Sequence, residues 1–120
     1  MSSCATKDRS VVIPAPERVR AITGSFAWID HRFRRDGHME RFTLEDLALY
    51  LFLVLAGDRN GVSYYGKDRI SNALSLSYYQ FTTARDRLIE RSYIAFAPHR
   101  PGDANGYYQV LPLPDLPRTR

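Results

Sequence analysis

The sequence predicts a mainly α-helical α+β fold carrying a small β-hairpin. Three observations lead there. Residues 43–56 read as an apolar helix behind a capping threonine. Residues 67–91 read as two shorter helices joined by a tight connection. Residues 93–111 read as two strands around a loop rich in Pro, Gly, Asp and Asn.

A chain of 120 residues, 44% apolar, fits one domain with a core of its own. The patterned elements fall within residues 23–111. Residues 1–22 are expected to form a flexible N-terminal arm, and the proline-rich residues 112–120 an extended basic tail. The single cysteine, Cys4, supports neither a disulfide framework nor a zinc ligand set, which suits a reduced, cytoplasmic setting. There is no charged start followed by an apolar run of the secretory kind, and the longest apolar stretch, Leu47–Ala56, is too short to span a bilayer. No membrane partner is therefore expected. A formal net charge of +4 permits a polyanionic partner without demanding one. The basic residues are dispersed: Lys7, Arg9, Arg18 and Arg20 outweigh Asp8 and Glu17 in the arm, while residues 43–57 carry only Glu45 and Asp46.

Taken in order, Val11–Pro16 should be extended, because each proline biases the residue before it away from helix. A first helix is predicted over Phe26–Asp36, with Ser25 as N-cap, Gly37 as the stop and Phe26, Ile29 and Phe33 as an apolar face. A second helix follows Thr43, with Asp46 in its first turn, where the helix dipole favours an acid. Its body, Leu47–Ala56, is apolar all round and should be buried on nearly all sides, by the first helix or by a second subunit. Gly57–Gly61 is a turn, and Val62–Tyr65 is short and β-prone. A helix over Lys67–Leu74 then places Ile70 and Leu74 on one face. Ser77 caps a further helix, Tyr78–Arg91, whose inward positions are Phe81, Ala84 and Leu88. Tyr93–Ala97 and Tyr107–Leu111 are the paired strands.

Ile70 and Leu74, the connection Leu74-Ser75-Leu76-Ser77, then Phe81, Ala84, Leu88 and Tyr93-Ile94 resemble the winged helix-turn-helix pattern over roughly residues 43–111. The resemblance implies a winged helix-turn-helix with an extra N-terminal helix. Ser75 departs from it, standing where the family usually has glycine. The aromatic segment Phe26–Phe33 ahead of the module is similar to the N-terminal domains of phage replisome-organiser and plasmid replication-initiation proteins. That similarity implies a mobile-element or replication context and self-association through the N-terminal elements.

In such a module the helix 78–91 enters the major groove of double-stranded DNA with its N-terminal part against the bases. The expected contacts are Gln80 with an adenine edge, Thr82 and Thr83 with bases, and Tyr78, Tyr79, Arg87, Lys67 and Arg69 chiefly with phosphates. Arg100 would act from the hairpin loop. A homodimer is expected, with Trp28, Phe33, Tyr50 and Leu51 at its interface. Two roles suit this reading, a small transcriptional regulator or a replication or mobile-element accessory factor. The alternative is an assembly module of the same fold that contacts replication or transposition proteins and has little DNA affinity.

Catalysis is not expected. His31, His38 and His99 lack metal-ligand spacing, no glycine-rich phosphate loop is present, and Cys4 has no activating partner in sequence. The sequence implies no metal and no cofactor.

Overall fold

A computed structural model of the protein describes residues 12–116. The expected flexible start through residue 11, Cys4 included, and the basic end at 117–120 lie outside the described residues.

Helices form where caps and apolar spacing coincide. The helix α2, Leu44–Ala56, starts at Thr43, whose hydroxyl accepts the Asp46 N–H at 3.1 Å while the Asp46 carboxylate accepts the Thr43 N–H at 3.1 Å. This reciprocal box satisfies two of the backbone donors that a helix start leaves unpaired. A second box, between Ser77 and Gln80, starts α4, Tyr78–Glu90. Between them lie β1, Val62–Tyr64, and α3, Lys67–Leu74.

The ends of α3 and α4 use one device twice. Ser75 and Ser92 adopt left-handed φ values of 57° and 66°. Leu76 N–H then reaches back to the Ser71 carbonyl, and Tyr93 N–H to the Leu88 carbonyl, both at 2.9 Å. This is the Schellman closure, where glycine is usual because a Cβ costs about 1–2 kcal/mol in that conformation.

After α4 the chain forms β2, Ile94–Pro98, and β3, Gly106–Val110. The three strands make an antiparallel sheet in the order β1-β3-β2, with Ser63 opposite Tyr108 and Phe96 opposite Tyr108 on the other side. Gly106 faces Pro98 at the hairpin mouth, and a Cβ there would collide with the Ala97 carbonyl. The architecture is thus α+β, a set of helices on one small antiparallel sheet. Leu49 and Leu53 of α2, Ile70 of α3, Phe81 and Leu88 of α4 and Tyr108 of β3 are fully enclosed between them.

Four expectations are corrected. The first helix does not run over Phe26–Asp36; only α1, Arg32–Arg35, is helical. Asp30, one residue before the N-cap position His31, accepts the Arg32 N–H at 2.9 Å and its guanidinium at 2.7 Å. Phe26 and Trp28 upstream have nothing to bury against, and a short helix without tertiary packing does not hold. Second, the first helix does not cover the outer face of α2: within the protomer Leu51 and Leu55 face outward. Third, the tail does not leave the body at residue 112. Leu111 N–H bonds the Tyr93 carbonyl at 3.0 Å, and Leu113 joins the core. Fourth, the returning strand starts and ends one residue earlier than Tyr107–Leu111.

Candidate nucleic-acid interface

The helices α3 and α4 meet at Leu74–Ser77, and the N-terminal turn of α4 points away from the core. Tyr79 is 79% exposed, Tyr78 and Thr82 are exposed, and Thr83 is half-buried. The Tyr78 hydroxyl donates to the Asp68 carboxylate, which raises its pKa above the usual phenol range. Lys67 Nζ lies 4.8 Å from the centre of the Tyr78 ring, a cation–π distance. The Lys67 backbone N–H in turn donates to Asn105 Oδ1 at 3.0 Å, across from the hairpin loop. These contacts join the start of α4, the start of α3 and the loop between β2 and β3 into one continuous surface. Arg69, exposed, packs its guanidinium 5.6 Å from the Tyr65 ring. Arg100 is exposed in the loop, whose turn is closed by an Asp103 N–H bond to the Arg100 carbonyl at 2.9 Å.

Two of the expected contact residues are engaged elsewhere. Arg87 Nη1 pairs with Asp46 Oδ1 at 3.2 Å, and the Asp46 side chain is wholly buried. Because Arg87 lies one turn after the inward-facing Ala84, its side chain reaches the N-terminus of α2. Gln80 spends its carbonyl oxygen on the Ser77 N–H at 2.9 Å. Bidentate pairing with adenine needs that oxygen as well as the NH2 group, so it would require the cap to open.

The four residues expected at a dimer interface separate into two pairs. Phe33 and Tyr50 stack at 5.2 Å inside the protomer's own core, and burial pushes the Tyr50 hydroxyl up to about 12. They are not available to a partner. Trp28 and Leu51 face outward.

Sequence reasoning missed a buried polar pair. His38 Nδ1 lies 2.6 Å from the Tyr93 hydroxyl, which also receives a long contact, 3.5 Å, from Arg41 Nη1. The imidazole ring is enclosed beside Tyr93 and Phe33. Burial lowers its pKa, Asp36 opposes this, and Arg41 and Arg32 reinforce it. The only sequence signal was a histidine between apolar anchors, which is too common to read.

Among the described residues, no three His, Cys, Asp or Glu side chains gather where they could hold a metal ion, and no helix is long and apolar enough to cross a membrane. Comparison with protein-family models, with curated proteins and with solved structures finds no match.

Proposed function

We propose that the protein binds double-stranded DNA as a winged helix-turn-helix module, with α4 as the helix that enters the major groove. The observation that carries this is the continuous surface held together by Asn105, Lys67 and Tyr78, on which α4 presents its N-terminal turn beside a hairpin loop. The order helix, strand, helix, tight turn, helix, strand, strand supports it, with the first strand paired to the last. Thr82 and Thr83 face the bases in this reading, and the Tyr79 hydroxyl a phosphate. Lys67, Arg69 and Arg100 meet phosphates, as does Tyr78 once DNA competes with Asp68. Gln80 contributes only if its cap opens. Arg87 acts indirectly, by holding Asp46 and thereby the angle between α2 and α4. A small regulator and a replication or mobile-element accessory factor both fit.

A second reading is a protein-assembly surface. The carboxylates on the same face favour it: Asp68 beneath Tyr78, and the exposed Asp86, which pairs with Arg85 at 3.1 Å. Both would repel a phosphate backbone.

The test is fluorescence anisotropy on a mixed-sequence duplex, titrated with salt, for the wild type and for Thr82→Glu. The three cationic phosphate contacts, Lys67, Arg69 and Arg100, predict a log–log salt slope of about −3. The Thr82→Glu variant should bind at least tenfold more weakly with its fold intact. Absent binding, or binding that Thr82→Glu leaves unchanged, would overturn the DNA reading in favour of assembly. Arg87 is unsuitable for this test, because removing it strands a buried carboxylate.

A further inference from the structure

The sheet has one face that the helices do not cover. Ser63, Phe96 and Tyr108 turn toward the helices, so by the alternation of strands Val62, Tyr64, Ala95, Ala97, Tyr107 and Gln109 turn away from them. Tyr64 and Tyr107 are directly opposed, 48% and 49% exposed, with ring centres 5.0 Å apart. His99 adds a third ring, 5.9 Å from that of Tyr64. Its N–H donates to the Asn105 carbonyl at 2.9 Å and so prolongs the hairpin. A cross-strand tyrosine pair stabilises a sheet without any ligand. It does not require the gap beside it. On β2, Ala95 and Ala97 present only methyl groups, which leaves a half-open slot of about 140 Å³ next to Tyr107, bounded by Val62 and Gln109.

Drug-sized ligands need roughly 300 Å³ or more, whereas an apolar cavity of about 150 Å³ admits benzene. The slot therefore suits one flat ring. Tyr107 lies alongside to stack on it, and the exposed Gln109 amide at the rim offers both a donor and an acceptor to its edge. Charge selects among the ligands that carry such a ring. No outward position of the three strands is acidic. Arg59, in the turn before β1, and Arg100, just after His99, are exposed at opposite ends of the face. The acids next to them are turned onto backbone: Asp58 accepts the Asn60 and Val62 N–H groups at 2.8 and 3.0 Å, and Asp103 accepts the Asn105 N–H at 3.0 Å. A polyanion laid along this face meets a cation at either end. We infer that the outward face of the sheet is a second nucleic-acid site that takes unpaired bases of single-stranded DNA, one base in the slot against Tyr107 and a neighbour on Tyr64 and His99. Stacking of this kind tolerates any sequence, because every base has a π-face.

The inference goes beyond the duplex reading and does not rest on it, since of these residues only Arg100 is shared with the α3–α4 surface. The test is fluorescence anisotropy of labelled oligothymidylate, with circular dichroism to confirm the fold of each variant. The wild type should bind, and Tyr107→Ala and Tyr64→Ala should each weaken binding at least fivefold. Tyr107→Phe keeps the stacking face and should bind within twofold of the wild type. Ala97→Leu fills the slot from an exposed position and should weaken binding as much as Tyr107→Ala. Thr82→Glu, which probes α4, should leave oligothymidylate binding unchanged, so either reading can fail while the other stands. Absent binding would overturn the inference, as would binding indifferent to both Tyr107→Ala and Ala97→Leu. An abasic oligomer of equal length that binds as tightly would show that only phosphates are held, and would overturn it too. Displacement of the oligomer by a polyproline peptide would assign the slot to a peptide ligand instead.

Discussion

Asp46 shows how far one side chain can matter. It closes the capping box of α2, and it is wholly buried with Arg87 as its cation. Removing one partner of such a pair leaves a desolvated charge, which costs far more than the intact pair contributes. Arg87→Ala should lower stability by about 3 kcal/mol in urea denaturation, whereas Tyr79→Ala should stay within about 0.5 kcal/mol. His38 makes a second prediction at this scale. The folded protein keeps its imidazole neutral below the usual histidine value of 6.5, while the unfolded chain takes up a proton there. Stability attributable to His38 is present at neutral pH and is lost as the pH falls from about 6.5 toward the lowered folded value. His38→Gln keeps an acceptor for the Tyr93 hydroxyl and does not titrate. Its stability should fall less steeply than that of the wild type between pH 6.5 and 5. Equal slopes would show that His38 is not the group responsible.

At the scale of elements, the helix starts were legible and the helix ends only partly so. Thr43 and Ser77 could be recognised as caps because a cap acts within one turn of its own residue. Thr43→Ala and Ser77→Ala should each cost about 1 kcal/mol. Ser75 was legible as an oddity, and the structure places it in the left-handed conformation that glycine favours. Ser92 was not legible, since nothing local distinguishes it from an ordinary helix-end serine. Ser75→Gly and Ser92→Gly should each raise the unfolding free energy in urea by about 0.5–1 kcal/mol, because relief of the Cβ strain outweighs the added chain entropy. A loss of stability in both would mean that the serines have roles beyond backbone geometry. The first helix failed for a different reason. Apolar spacing over Phe26–Phe33 is necessary for an amphipathic helix, but of Phe26, Ile29 and Phe33 only Phe33 is buried.

For the whole molecule, the α+β class and the element order followed from periodicity, while the pairing of side chains across elements did not. Arg87 with Asp46, His38 with Tyr93 and Asn105 with Lys67 each join residues far apart in the chain, and no local pattern announces them. Such pairings decide which expected contact residues remain free for a ligand, so the candidate surface was less legible than the fold that carries it. If the protein forms the homodimer expected from the sequence, its thermal midpoint should rise with protein concentration, as folding is then linked to association. A midpoint independent of concentration would count against a stable dimer.

The sheet order has a consequence for how the chain comes into being. β3 is the middle strand but the last of the three to be synthesised, and the paired residues Val62 and Gln109 are about two fifths of the chain apart. Until β3 has emerged from the ribosome, β1 and β2 have no neighbour, and Tyr108 is missing from the core. Long-range pairing of this kind delays folding until its entropy cost can be offset. The helices can form transiently during translation, but the domain closes only when nearly all of it has been made. A nascent chain arrested before residue 106 should therefore remain open to protease, however long it waits.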